Sequence, residues 1–217
     1  MPLSDAQIER YSRQIIVPHV GGRAQERLLA SRMLIVGETG DTDPVFSYMV
    51  GAGVGRTELM VDKDAEWIRA AAQEMRAMNP DAVVAAYDNA AAPPNLLLAV
   101  IGKSNTVLAA ESFVARHPLV PAVIARLDHP ARIGVLPAPP PCPRCARTEL
   151  LGKFGTRAIG AGIVAMAATV EAFKLLAGYG ENPRAALIEF NGYETRSHEL
   201  APDPTCDCGR RGGPSGV

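Results

Sequence analysis

The sequence predicts an α/β fold in which a mainly parallel, Rossmann-like sheet carries helices on both faces. Short apolar runs alternate with helical patterns between residues 31 and 136, as is typical of parallel sheets connected by helices. The first run, MLIVG at residues 33–37, leads into a glycine-containing turn and a helical pattern, which is the outline of a nucleotide-binding turn. Two further runs, at residues 185–191 and 195–201, predict an antiparallel strand pair near the C-terminus.

The N-terminal arm is predicted to be helical. Ser4 is followed three residues later by Gln7, which is a capping-box pattern. Apolar residues then recur at helical spacing on one face: Ile8, Tyr11 and Ile15. A second short helix is predicted at residues 23–31.

The core elements follow in order along the chain. After residues 33–37, strands are predicted at residues 57–62, 81–87, 95–101, 118–126 and 131–137. Helices are predicted at residues 43–53, 65–80, 105–117 and 156–178.

The apolar face of the helix at 65–80 is predicted to consist of Ile68, Ala71, Met75 and Met78. Asp43 is expected to cap the first of these helices, with Pro44 at its first position. The last helix, which ends at Gly178, is apolar enough to be buried almost all round.

Composition excludes several classes of function. Of 217 residues, 47% are hydrophobic and 21% are charged, which suffices for a real core. The net charge of −1 gives no indication of nucleic-acid binding or of an anionic membrane surface. No apolar run approaches the roughly 20 residues of a membrane span. The first residues lack a signal-peptide core, so the expected location is cytoplasmic.

The turn after the first strand is acidic. Glu38, Asp41 and Asp43 lie where a nucleotide-binding turn would hold a phosphate. Repulsion between these carboxylates and a phosphate predicts that nucleotide binding is disfavoured, with Asp43 capping the helix in place of a ligand. The alternative interpretation is that the carboxylates hold Mg²⁺ and still admit ATP.

The four cysteines form two tight pairs. Cys142 and Cys145 are spaced as C-x-x-C, whereas Cys206 and Cys208 are spaced as C-x-C. In a reducing compartment this arrangement indicates metal binding before disulfide formation, and four thiolates suit a tetrahedral zinc. Reduced or disulfide-paired cysteines without metal remain the alternative.

Several segments together resemble the ThiF/MoeB/HesA family of ubiquitin-activating-enzyme-like adenylyltransferases. In chain order, these segments are ERYSRQI, LIVG, AGVG, VDKD, CPRC, IGAGIVAMAATVEAFKLLAG, FNGYETRSHEL and DPTCDCG. The resemblance extends from Asp5 to Gly209 and lies in the order and spacing of the segments. It implies a protein that uses ATP and Mg²⁺ to adenylate the C-terminus of a small ubiquitin-like or sulfur-carrier protein. It also implies a dimer and a structural zinc.

The resemblance implies a degenerate ATP site. The family turn has the form G-x-G-G-x-G, which Gly37 and Gly40 match, while Thr39 and Thr42 replace two glycines. A segment that carries a lysine in the family is missing after VDKD, and Trp67 falls near the lysine position. Ser104 aligns with a family aspartate, and the cysteine that some members carry before the long helix is absent.

Two family positions survive in this chain. Arg13 matches the arginine that reaches across the family dimer to the partner's ATP, although a solvated arginine or one paired with Glu9 is the alternative. Asp62 matches a ribose-hydroxyl acceptor, although Asp62 and Asp64 could equally cap a turn.

These observations lead to one main hypothesis and two alternatives. Residues 1–209 are predicted to form one domain, made of a helical arm (1–30), a Rossmann-like core (31–136) and a C-terminal part with the zinc knuckle (137–209), followed by a flexible tail (210–217). The main hypothesis is a catalytically degenerate family member, without ATP or Mg²⁺, that acts as a zinc-stabilised homodimeric or heterodimeric partner or scaffold in the activation of a carrier protein or peptide. The first alternative is an active adenylyltransferase, and the second is a dinucleotide binder that uses Asp62.

Overall fold

The computed structural model describes residues 2–18, 20–137, 139–179, 184–192 and 194–208. The predicted tail at 210–217 lies outside the described residues, and the division of residues 1–209 stays a prediction. Among the helices of the described part, none combines the length and the apolar character that crossing a membrane requires.

One mixed sheet organises the described residues. Its strands are β1 Arg32–Gly37, β2 Arg56–Val61, β3 Val83–Ala86, β4 Leu96–Ile101, β5 Ala122–Arg126, β6 Ala131–Leu136, β7 Ala186–Phe190 and β8 Thr195–Glu199. Their order is β3-β2-β1-β4-β5-β6-β7-β8. Neighbours from β3 to β5 pair in parallel, and those from β5 to β8 pair antiparallel. The predicted fold class is confirmed, with a parallel core and antiparallel C-terminal strands.

Helices cover both faces of the sheet. They are α1 Asp5–Arg10, α2 Ser12–Ile15, α3 Gly21–Ala30, α4 Thr39–Gly51, α5 Ala65–Met78, α6 Ser104–Arg116, α7 Arg147–Leu150 and α8 Ala161–Ala177. Side chains alternate across each strand, so Met33 and Ile35 pack with α3, α4, α5 and α8, while Leu34 and Val36 pack with α6 and α7. The sheet is therefore buried on both sides, which explains the continuous apolar runs of β1 and β4.

The predicted start of α4 is wrong. The helix begins at Thr39, with Glu38 as its N-cap residue, so Pro44 lies inside the helix and Asp43 does not cap it. The physical reason is a cap from outside the segment: the Thr39 backbone N–H donates to Asp62 Oδ1 at 2.9 Å. That bond satisfies the first orphan donor and lets the helix extend back towards the strand.

Three predicted apolar faces also differ from the structure. The capping box of Ser4 and Gln7 is confirmed, but the helix is interrupted at Tyr11, which is buried while Ile8 is 48% exposed. Met78 is exposed, unlike the rest of its predicted face. Helix α8 is not buried all round, since Ile163 and Val170 are 73% and 55% exposed. An apolar composition did not indicate which side of α8 the sheet leaves uncovered.

Candidate functional site: the crevice after β1 and the cysteine cluster

The strand order reverses between β1 and β4. From β1 the chain proceeds through β2 to β3 on one side, and from β4 it proceeds to β5 on the other. Open α/β sheets bind ligands in the crevice at the carboxyl ends of the strands at such a switch point. The residues that border this crevice are the turn from Glu38 to Asp41 after β1 and the segment from Gly102 to Ser104 after β4.

Glu38 fills the floor of the crevice. Glu38 is only 7% exposed, and its Oε2 accepts a hydrogen bond from the Gly102 backbone N–H at 3.2 Å. Its Oε1 accepts a hydrogen bond from the Thr106 hydroxyl in α6. The carboxylate thus bridges the turn after β1 to the segment after β4, from within the protein.

Asp41 and Arg157 meet across the mouth of the crevice. Arg157 donates through both terminal nitrogens to the two carboxylate oxygens of Asp41, with Nη1 to Oδ2 at 2.9 Å. This hydrogen bond raises the pKa of Arg157, with a further contribution from the charge of Glu38. The guanidinium and the nearby carboxylates therefore stabilise one another without a ligand.

The segment that carries Arg157 is fastened to the end of β5 by a buried ion pair. Arg126 is 2% exposed, and its Nε donates to Asp128 Oδ1 at 2.9 Å. Arg126 also donates to the carbonyls of Gly152 and Lys153, and Asp128 accepts from the Gly155 N–H at 2.8 Å. Burial alone would raise the pKa of Asp128, but the hydrogen bonds from Arg126 and Gly155 outweigh it and lower the pKa.

Asp62 lies at the N-terminus of α4. The backbone N–H of Thr39 donates to it and lowers its pKa. A carboxylate of the chain thus occupies the position at which a helix N-terminus attracts an anion. Asp43, in contrast, has its pKa raised by burial and by the charge of Asp62, and its Oδ1 has no hydrogen-bond partner among the described residues.

The two predicted glycines of the turn differ in their surroundings. A Cβ at Gly37 would lie 2.8 Å from the Val100 carbonyl oxygen and would contact the Thr42 side chain, so close packing of β1 against β4 and α4 requires glycine. A Cβ at Gly40 would meet no atom within 4 Å. The roles of Gly37, Gly40 and Asp62 in nucleotide binding stay predictions.

Arg13 lies on α2. It is exposed, and it forms no ion pair within the described part of the chain. Its neighbour Gln14 borders an apolar groove between α4 and α8. Tyr11 holds this arm in place, because its buried Oη accepts a hydrogen bond from Asn79 Nδ2 at 2.9 Å. Arg13 therefore directly precedes a residue that borders this groove.

The four cysteines come together in one cluster. The Sγ atoms of Cys142, Cys145, Cys206 and Cys208 all lie within 4.8 Å of one another. The Sγ atoms of Cys142 and Cys206 are 3.7 Å apart, and those of Cys145 and Cys208 are 3.5 Å apart. Zinc–sulfur bonds of about 2.3 Å in a tetrahedron place sulfur atoms about 3.8 Å apart, so the cluster could hold a metal such as zinc.

An ion pair links the two halves of the cysteine cluster. Arg144, between the first two cysteines, pairs with Asp207, between the last two, at 3.3 Å. Burial raises the pKa of the Cys142 thiol to about 12. A bound cation would reverse this preference at Cys142, because it stabilises the thiolate.

No family model matches the chain. The SAMP-activating enzyme E1 of Haloferax volcanii is 28% identical over 252 residues, covering 95% of this chain and 91% of that protein. The molybdopterin-synthase adenylyltransferase of Escherichia coli is 28% identical over 250 residues, covering 96% of this chain and 99% of that protein. The names of these relatives support the predicted resemblance to the ThiF/MoeB/HesA family.

A solved structure shares the fold of this chain. The crystal structure of E. coli MccB with ATP has a TM-score of 0.68 and 16% identity, covering 92% of this chain and 73% of that chain. Both sequence alignments, at 252 and 250 positions, are longer than the 217 residues of this chain. Each of the two relatives therefore contains residues that have no counterpart in this chain, and the deletion after VDKD stays a prediction.

Sequence reasoning did not identify the residues that fasten the crevice. Local patterns predict only a strand at Arg126, a loop at Asp128 and a helix at Arg157. A signal was present for the first two, because an arginine that ends an apolar strand two residues before an aspartate must find a partner if it is buried. Arg157 lies 116 residues from Asp41, and no local pattern links them.

Proposed function

We propose that this chain is a non-catalytic member of the ThiF/MoeB/HesA family that acts as a zinc-stabilised partner in the activation of a carrier protein or peptide. The observation that carries the proposal is the crevice, where Glu38, Asp41 and Arg157 pair with one another or with the backbone. Zinc on the four cysteines would serve to hold the crossover after β6 to the C-terminal segment.

Electrostatics supports the loss of ATP binding. A carboxylate about 6 Å from a phosphate charge, at an effective dielectric near 20, costs roughly 3 kcal/mol. Arg157 cannot offset this cost without leaving Asp41. Two groups that the family resemblance implies for catalysis are also replaced: Trp67 packs its ring edge to face against Phe46, and Ser104 begins α6. Neither side chain supplies charge to a phosphoryl group.

An apolar groove supports the role as a partner. It has a volume of ≈ 960 Å³ and includes Tyr48 on α4, Met78 on α5 and Val170 on α8. Tyr48 and Val170 are 67% and 55% exposed, and uncovered apolar surface of this kind marks interaction sites. Gln14, the chain neighbour of Arg13, lines the groove, so we propose that a protein bound there receives Arg13. The proposed occupant is an intact family member, and a second copy of this chain is the competing outcome.

Arg13→Ala is expected to slow adenylation by an intact family member from the same genome, when the two proteins are mixed. An arginine aimed at developing phosphate charge contributes on the order of a hundredfold in rate, and the substitution removes it without touching the core. The measurement is carrier-dependent pyrophosphate exchange by the mixture, with association followed by sedimentation.

The matched control is Arg23→Ala, which removes another exposed arginine of the N-terminal arm and should leave the rate unchanged. Val170→Asp should abolish association, because it places a charge in the apolar groove. If the two proteins do not associate, or if Arg13→Ala and Arg23→Ala behave alike, Arg13 is not donated to a partner.

The second candidate function is an active adenylyltransferase. The relatives favour it, because both of those described above are named as activating or adenylylating enzymes. For this chain the activity would require the ion pair between Asp41 and Arg157 to open when substrate binds. Carrier-dependent pyrophosphate exchange by this protein alone would support it.

A further inference from the structure

We infer that Glu38, Asp41 and Arg157 form an internal plug, which holds the crevice shut and which opens to a phosphate group once Asp41 no longer occupies Arg157. We use "the plug" for these three residues. The inference rests on the proposed function, because it specifies how the crevice is closed. It adds that the closure is a contact that can be reversed, with Arg157 as the group that receives an anion.

The three charged groups of the plug converge on one glycine. A Cβ built on Gly102 would lie 2.9 Å from Glu38 Oε2 and 3.0 Å from Arg157 Nη1, and it would also contact Asp41 Oδ2. Gly102 directly follows β4, at the switch point of the sheet. The plug therefore lies at the carboxyl ends of β1 and β4, where a ligand of this fold would be bound.

The plug has a fixed part and an exchangeable part. Glu38 is buried and bonded to Gly102 and Thr106, so it is held by the protein on two sides. The Arg157 side chain is 49% exposed and that of Asp41 is 13% exposed. Ion pairs with one partner this exposed contribute little to the stability of the fold, so a substitution that removes the pair should leave the protein folded.

The backbone around Arg157 is held independently of Asp41. The Ala158 N–H donates to the Leu127 carbonyl at 2.7 Å, and the His129 N–H donates to the Thr156 carbonyl at 2.7 Å. Only the side chain of Arg157 has to turn when the pair opens. Its planar guanidinium can donate two hydrogen bonds to a phosphate, in the same bidentate geometry that it uses for the carboxylate of Asp41.

Neutralising the plug is expected to create phosphate binding. Asp41→Asn releases Arg157, and Glu38→Gln removes the buried charge while keeping the shape of the side chain. From the Coulomb energy of charges about 6 Å apart at an effective dielectric of about 20, each change should tighten binding on the order of a hundredfold. Calorimetric titration of Mg-ATP and of inorganic triphosphate into wild type, Asp41→Asn and the Glu38→Gln/Asp41→Asn double variant measures the gain.

The matched control is Arg157→Ala, which breaks the same ion pair but removes the cation. This variant should gain no affinity, and adding Arg157→Ala to the double variant should abolish the gain. Thermal melts show whether each variant is folded; if the double variant is not, Asp41→Asn alone must show tighter binding than Arg157→Ala.

The outcomes separate this inference from the proposed function. Tight binding of Mg-ATP by the wild type would overturn the proposed function. If neither the wild type nor the folded variants bind Mg-ATP or triphosphate, the plug is overturned and the proposed function stands. A gain that persists without Arg157 would also overturn the plug, because the anion would then be held by other groups.

Discussion

Removing metal from the four-cysteine cluster is expected to lower the melting temperature by roughly 10 °C. Binding to the folded state alone stabilises it by about 4 kcal/mol when free zinc exceeds its dissociation constant a thousandfold, and a chain of this size loses about 2–4 °C per kcal/mol. Protein purified without added metal should contain about one zinc per chain by elemental analysis, as one four-ligand site implies. Chelation, or Cys208→Ser, should each reduce that content and the melting temperature.

The matched control for the metal site is Arg144→Ala. This residue lies within the same knuckle and pairs with Asp207, but it supplies no ligand, and its side chain is 46% exposed. Its loss should change the stability by less than about 1 kcal/mol and leave the zinc content intact. A zinc content near zero in the native protein, with a melting temperature that chelation does not change, would contradict the metal site.

Asp128→Ala is expected to lower the free energy of unfolding by about 3–5 kcal/mol, because it leaves the buried Arg126 without its carboxylate. The substitution also removes the acceptor of the Gly155 N–H, so the segment that carries Arg157 should loosen. Urea denaturation monitored by circular dichroism measures the loss of stability.

The control for this buried pair is Glu189→Ala. It breaks the pair with Arg132, whose side chains are 24% and 29% exposed, and it should cost less than about 1 kcal/mol. Equal losses in the two variants would show that the pair of Arg126 and Asp128 has no special role in the fold.

The stabilising effect of Asp128 should depend on pH. Its pKa is lowered in the folded state, so its contribution is complete above the unfolded value of about 3.9 and is lost as the pH falls through the lower folded value. The difference in stability between wild type and Asp128→Ala should therefore shrink only in acid.

Local patterns predicted most of the fold. The apolar runs of β1 and β4 indicated strands buried on both faces, and both strands lie at the centre of the sheet. Ser4 and Gln7 form the capping box that their spacing predicted. Gly178 ends α8 in the left-handed conformation that favours glycine. Each of these features depends on residues close together in the sequence.

Local sequence patterns could not predict the contacts between distant segments of the chain. The sequence pattern predicts Asp43 at the start of a helix, but Asp62, directly after β2, caps that helix four residues earlier. The acidic turn was expected to repel phosphate, but not to be paired with Arg157. The exposed side of α8 could not be read from an apolar composition either, because composition does not state which neighbours cover a helix.

The proposed function requires that the crevice does not bind ATP. Calorimetric titration of Mg-ATP into the wild-type protein, with its metal content first confirmed, measures this binding. We expect no saturable heat up to millimolar ATP, because Glu38 and Asp41 occupy the crevice and Arg157 is already paired. A saturable heat with micromolar affinity would contradict it, and would favour the active adenylyltransferase instead.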